Sequence, residues 1–188
     1  MLTGMTQFLL DVFVHGFAAV LLFRFWLHWL RVPLRNSIGE FVMALTDFIV
    51  LRTRRFIPSA GRMDSSTLLL ALLVELLYLS LTWLVQSHAD AHFPLPGLLA
   101  WSAVELVKLC VYFLMIALIA QAVLSWVNPH TPLAPMLSAI TERFLRPLRS
   151  RIPLIGNVDL STLLLLVICQ VILLVPLAML ENMVKRLL

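Results

Sequence analysis

Two copies of an Asp-x-Ser-Thr cluster, Asp64 with Ser66 and Thr67 and Asp159 with Ser161 and Thr162, come nearest to a chemical site in this chain. A carboxylate followed by two hydroxyls can ligate a cation. It can also cap a helix by accepting from the free N–H groups of the first turn. Each cluster opens a long apolar run, so capping is the expected role. The five histidines, 15, 28, 88, 92 and 130, are dispersed. Only His88, Asp90 and His92 lie close enough to share a metal, in a loop with Pro94, Pro96 and Gly97 and no fourth ligand, so a solvated loop is expected there. His15 sits inside an apolar run with no second His at matching depth; hydrogen-bonded packing is expected rather than haem ligation. Cys110 and Cys169 have neither CxxC spacing nor neighbouring ligands and are expected to be buried thiols. With no Gly-rich phosphate loop and no Ser/His/Asp set, no enzyme activity, metal or cofactor is expected.

The elements that must position these residues follow from composition. Of 188 residues, 61% are hydrophobic and 13% charged, against roughly 25% charged in a soluble domain. The chain reads as an integral membrane protein. A helix needs about 20 apolar residues to cross the bilayer, and four runs qualify: about 7–30, 67–86, 106–127 and 161–181. Glu105 and Lys108 are then expected at one interface, with Lys108 snorkelling, and Trp26, Trp29 and Trp126 in an aromatic belt at the other. The N-terminus lacks a basic segment and a cleavage site, so the first run is expected to be a retained signal-anchor.

Arg31, Arg35, Arg52, Arg54, Arg55 and Arg62 lie between the first two runs, and Arg143, Arg146, Arg149 and Arg151 between the last two. The middle loop has no Lys or Arg. By the positive-inside rule both Arg-rich loops are expected in the cytoplasm and both termini in the periplasm, although Lys185 and Arg186 oppose this weakly.

The chain also repeats itself. Shifted by 95 positions, Arg54, Ile57, Pro58, Gly61, Asp64, Ser66 and Thr67 fall on Arg149, Ile152, Pro153, Gly156, Asp159, Ser161 and Thr162, and 11 of 25 positions match over 46–70 and 141–165. Each unit crosses twice, so the repeats, 1–97 and 98–188, are parallel. Between the spans of each unit an amphipathic helix is expected along the interface, over about 37–52 and 135–149. In the second, Met136, Leu137, Ile140, Phe144, Leu145 and Leu148 oppose Glu142, Arg143, Arg146 and Arg149 on the helical wheel. In the first, Ile38, Phe41, Val42, Leu45, Phe48 and Ile49 oppose Glu40 and Asp47. The apolar faces are expected against lipid, with Arg52, Arg54, Arg55, Arg143, Arg146, Arg149 and Arg151 at headgroup depth. The alternative is a soluble-type helix capping the bundle. Pro58 and Pro153 would end these helices, Gly61 and Gly156 allow a turn, and Asp64 and Asp159 cap the next span. The segment is thus expected to be a re-entry device.

The stretch "SWVNPHTPLAPMLSAITERFLRPLRSRIPLIGNVDLSTL", residues 125–163, resembles the signature of the YggT family of bacterial inner-membrane proteins, here present twice; the first copy departs at "LRVPLRNSIGEF". The resemblance implies a multi-pass inner-membrane protein without established catalytic activity. It also implies relatives associated with cell division, plastid cytochrome maturation, osmotic tolerance and ion homeostasis.

Two function classes remain. One is a non-enzymatic scaffold or assembly factor that presents its Arg-rich helices to anionic phospholipid and to other inner-membrane proteins. The other is a small oligomeric channel or transport element in ion or osmotic balance. The basic residues are explained by topology, and no stacking aromatics alternate with them, so nucleic acid is not an expected partner; a homo-oligomer is. Four polar residues at membrane depth complete the expectations. Arg24 and Glu75 in one unit occupy the places of Gln121 and Gln170 in the other, so Arg24 is expected to pair with Glu75 and Gln121 with Gln170. The rival is a polar ion path along all four.

Overall fold

The computed structural model describes residues 2–32, 37–55, 64–86, 94–127, 131, 133–151 and 159–186. Among them every regular element is helical, and four helices are long and apolar enough to cross a membrane. These spans are Gly4–Trp29, Ser65–Gln86, Leu95–Ser125 and Leu160–Lys185. A shorter helix, Ser37–Thr53, follows the first span and a second, Ala134–Arg149, follows the third. The fold is therefore an all-α membrane protein of two parallel units, each a span, a connecting helix and a span. In hydrocarbon every backbone N–H must find its partner within the helix, and runs of Leu, Ala, Met and Ile supply that at low conformational cost. Their outward faces stay uncovered: Leu73 and Leu77 on span two, Ile116 on span three and Leu163 and Leu174 on span four are all at least half exposed.

Among the described residues two π-helical stretches interrupt the spans. Pro176 lies inside Leu173–Leu177 of span four, where its missing N–H breaks the α ladder. Leu10–His15 of span one has no proline, yet Gly16 N–H reaches back five residues to the Asp11 carbonyl. Span one ends in a Schellman motif: Arg31 N–H bonds the His28 carbonyl at 3.2 Å and Val32 N–H the Leu27 carbonyl at 3.0 Å. The left-handed position that glycine usually fills is held by Arg31, at φ 55°.

Among the described residues the core has two centres. Leu21, Leu22, Val50, Leu70, Ala71 and Leu106 join spans one, two and three to the first connecting helix. Trp26, Leu27, Leu118, Ile140, Leu145 and Cys169 join spans one, three and four to the second. Span one of the first unit thus packs beneath the connecting helix of the second, which interlocks the units.

Three expectations change. The third span belongs to one continuous helix, Leu95–Val127, which begins before the expected start at 106 because the apolar run continues backwards through Leu98, Leu99 and Trp101. Glu105 and Lys108 fall inside it, and Lys108 pairs with Glu105 at 3.0 Å and with Glu181 of span four at 2.8 Å rather than snorkelling alone. Trp26 is a core residue, 5% exposed and stacked on Phe144 at 6.0 Å, not part of a belt. Finally, the apolar face of the second connecting helix turns toward protein: Met136, Ile140 and Leu145 are buried among the spans. The first connecting helix leaves its stripe of Ile38, Phe41, Leu45 and Phe48 exposed and buries Val42, Thr46 and Val50 instead.

Candidate functional site

Both connecting helices hand the chain to the next span through the same contact. Arg54, one residue beyond the first helix, donates from Nη2 to Asp64 Oδ2. Arg149, at the end of the second, donates from Nε and Nη2 to Asp159 Oδ2 at 3.0 and 2.7 Å. In each case arginine and aspartate are ten residues apart. The same carboxylates serve the first turn of the following span. Asp64 accepts from the Thr67 hydroxyl at 2.7 Å, and Asp159 accepts from Ser161 N–H at 3.0 Å and from the Thr162 hydroxyl at 3.2 Å. A helix N-terminus carries free N–H groups and partial positive charge, so one carboxylate neutralises both an arginine and a helix end. Burial alone pushes both aspartates upward, but the bonds from Arg54 and Thr67 in one copy, and from Arg149 and Ser161 in the other, outweigh it and hold them below the ordinary Asp range. Pro58, Gly61, Pro153 and Gly156, expected to shape the intervening turns, lie outside the described residues.

A second repeated contact ties each first span to its connecting helix. Arg24 Nη1 donates to Thr46 Oγ1 and to Asp47 Oδ1, both at 2.7 Å, while the Thr46 hydroxyl donates to the Val42 carbonyl at 2.6 Å. In the other unit Gln121 meets Thr141, whose hydroxyl reaches the Leu137 carbonyl at 2.9 Å. The two ends of an amide are interchangeable by a flip. The Thr141 hydroxyl lies against Gln121 Oε1 as donor; turned by that flip, the amide NH2 would donate to Thr141 as Arg24 does to Thr46 and leave the threonine proton for the carbonyl.

The expected pairs across the membrane are therefore replaced. Arg24 meets Thr46 and Asp47 rather than Glu75, and Gln121 meets Thr141 while Gln170 lies exposed on span four. Depth explains the first exchange. Counted at about 1.5 Å per residue, Arg24 is ~8 Å and Glu75 ~16 Å from the connecting-helix end, and His15 at ~21 Å is nearer to Glu75's level. Glu75, with no exposed side-chain surface, accepts from His15 Nδ1 at 3.1 and 3.0 Å. Thr46 and Thr141 were not among the expected site residues, although they align in the repeat; the ten-residue Arg–Asp spacing, present in both copies, was the unused signal for the closure.

Of the seven arginines expected at the lipid surface, Arg54 and Arg149 are thus engaged in closures. Arg143 lies over the Trp29 ring, 4.5 Å from its centroid, a favourable cation–π distance. Arg52, Arg55, Arg146 and Arg151 are exposed at the same end of the molecule. Beside Arg143 an apolar groove of about 610 Å³ runs between spans one, three and four, lined by Trp26, Trp29, Leu114, Phe144, Leu165 and Cys169 among others.

A duplicated unit of two spans and a connecting helix, closed by an Arg–Asp contact at the mouth of its second span, defines the class: a multi-pass helical membrane protein built from parallel repeats. The family described as CCB3/YggT matches residues 3–85 and 100–180, one stretch per repeat, and the chain belongs to that family. An uncharacterized Escherichia coli (strain K12) protein, YggT, is 30% identical over 168 residues, covering 88% of this chain and 85% of its own. A Vibrio alginolyticus protein is 30% identical over 162 residues, 86% of this chain and 87% of its own. A Pseudomonas aeruginosa protein is 31% identical over 144 residues, 76% of this chain and 73% of its own. No solved structure matches the chain.

Proposed function

We propose that the protein is a non-enzymatic scaffold or assembly factor of the bacterial inner membrane, acting in envelope or osmotic homeostasis, whose Arg-rich end faces the cytoplasmic leaflet and binds anionic phospholipid. The supporting observation is that exposed Arg52, Arg55, Arg146 and Arg151 share one end of the bundle with the uncovered stripe of the first connecting helix, where Phe41 is 63% and Phe48 64% exposed. An apolar stripe beside cations suits the headgroup boundary, with hydrocarbon on one side and phosphate on the other. Each basic residue there contributes about 1 kcal/mol toward an anionic leaflet. The groove beside Arg143 has the apolar lining that one acyl chain of such a lipid requires. The positive-inside rule places this end in the cytoplasm and both termini in the periplasm. Other inner-membrane proteins, or further copies of the chain, would dock on the platform so formed.

The test compares the native chain with a variant carrying Arg52→Gln, Arg55→Gln, Arg146→Gln and Arg151→Gln, each extracted in mild detergent. Native mass spectrometry should find anionic phospholipid enriched on the former and lost from the latter, and salt should weaken the enrichment. Equal retention on both would sink the lipid platform. Mass spectrometry of co-purifying proteins separates the classes: partners that leave with the arginines support a scaffold, and a lone homo-oligomer favours a small channel. One observation favours that second reading, a polar cavity that reaches Glu75 in mid-membrane.

A further inference from the structure

Glu75 and His15 stand apart from the contacts repeated in the two units. In the second unit the place of Glu75 is taken by exposed Gln170, and by the two-residue offset between the first spans the place of His15 falls on exposed Tyr112. Duplication therefore does not account for the pair. Its surroundings are polar on one side only. A cavity of about 240 Å³, walled by Gln7, His15, Glu75, Tyr78, Thr82 and Glu105 among others, extends from Glu75 toward the end of the bundle opposite the connecting helices. At that end Gln86 bonds Gln7 at 3.0 Å. On the other side of Glu75 the buried apolar residues Leu21, Leu22, Leu70 and Ala71 separate it from Arg24.

Among the described residues, the titratable groups facing the pair come from three spans. Span one supplies Asp11, which accepts from the Tyr78 hydroxyl of span two at 2.7 Å, and the Tyr78 ring lies 5.0 Å from the His15 ring. Span three supplies Glu105, held by Trp101 Nε1 at 3.0 Å and by Lys108, which also binds Glu181. Asp11 and His15 both lie in the proline-free π stretch, and such stretches are frequent at functional sites.

We propose that His15 and Glu75 form a mid-membrane proton-binding site, reached by water through this cavity only from the face opposite the connecting helices. A lone charge at this depth is costly. With one proton shared between imidazole Nδ1 and the carboxyl group, the pair is neutral as a whole. A hydronium ion in the cavity adds a second proton and leaves a water molecule; the pair then carries one positive charge, which Asp11 and Glu105 stabilise from the wall. Acidification on the cavity side loads the site, and the apolar plug of Leu21, Leu22, Leu70 and Ala71 blocks passage to the connecting-helix side.

The full chain in lipid nanodiscs provides the test by infrared difference spectroscopy between two pH values. A protonated-carboxyl band should grow on acidification, move in D2O and with ¹³C-glutamate labelling, and be lost in Glu75→Gln, whose amide oxygen still accepts from His15. No such band in the native chain, or one that follows sodium or potassium at constant pH, overturns the proposal. Should Glu75→Gln fail to assemble, Glu75→Asp replaces it: the carboxyl band should then no longer move with ¹³C-glutamate labelling, a band that still does overturns the proposal, and water access is tested separately. With Cys110 and Cys169 replaced by alanine, Thr82→Cys in proteoliposomes should react with a small membrane-impermeant thiol reagent from one face only, and Ala71→Cys from neither. A Thr82→Cys as inert as Ala71→Cys means a dry cavity, and an Ala71→Cys that reacts means an open path; either overturns the one-sided site.

Discussion

The two units carry the same pair of contacts and use them differently. In the first, the acid beside the threonine, Asp47, faces its span and pairs with Arg24; in the second, the aligned acid, Glu142, turns to Arg149 at 2.9 Å and joins the closure. The latch between span and connecting helix is accordingly charged in one unit and neutral in the other. The closure is buried in the first, where the Asp64 side chain is 1% exposed, and open in the second, where that of Asp159 is 26% exposed. Duplication kept two side-chain devices, a threonine on the connecting helix and an Arg–Asp contact across ten residues. The side chains around them were then free to specialise.

The largest expected effect tests that difference in burial. Removing one partner of a buried ion pair strands the other, so Asp64→Ala should cost about 2–3 kcal/mol, reduced from the fully buried case because Arg54 keeps some solvent contact. Asp159→Ala should cost about 1 kcal/mol, the worth of an ordinary cap and an exposed pair. Unfolding of the purified variants in mild detergent measures both; equal losses would mean that the closures are equivalent after all. Acid sharpens the comparison. Both aspartates are held below the ordinary value, so the stability they add is present above about pH 4, where an unfolded Asp ionises, and is lost as pH falls through the lowered folded values. Asp64→Asn should remove more of that acid-side slope than Asp159→Asn.

A smaller effect is expected at the latches. Arg24→Gln gives the first unit the second unit's residue and forfeits the bond to Asp47, a loss of about 1–2 kcal/mol because one partner is charged. Gln121→Ala should cost about 1 kcal/mol, and a larger loss there than at Arg24 would reverse the assignment of charged and neutral latch. The smallest effect has the opposite sign. Arg31 holds a left-handed backbone position where glycine is at ease, so Arg31→Gly should stabilise by about 0.5–1 kcal/mol. A destabilisation in the same unfolding assay would show that the Arg31 side chain contributes more than its backbone costs.

The spans and connecting helices were legible because lipid imposes a run length and a helical wheel imposes a face. The wheel does not say what covers that face. Lipid and protein are equally apolar neighbours for a Leu or Ile, which is why the stripe of Met136, Ile140 and Leu145, expected against lipid, lies against spans one, three and four. The polar pairs failed for a related reason. Depth along a span follows from counting, but Arg24 reaches sideways to Thr46, and no count of residues places one helix beside another. Glu75 shows what counting still offers: His15, for which hydrogen-bonded packing is expected, lies nearer to its level than Arg24 does, and it is the partner found.

The continuous third helix makes the thickness of the bilayer matter to the whole arrangement. As a candidate span it runs over Leu95–Ser125, 31 residues, about 46 Å at 1.5 Å per residue against ~30 Å of hydrocarbon. To immerse all of it by tilt alone the helix would have to lean by roughly 50°, beyond the usual range of up to ~40°, and its two ends would be offset sideways by roughly 35 Å. A bilayer thinned by stretching steepens that lean, and because the other spans and the second connecting helix all pack on this one rod, the mismatch strain falls on the joint between the two units.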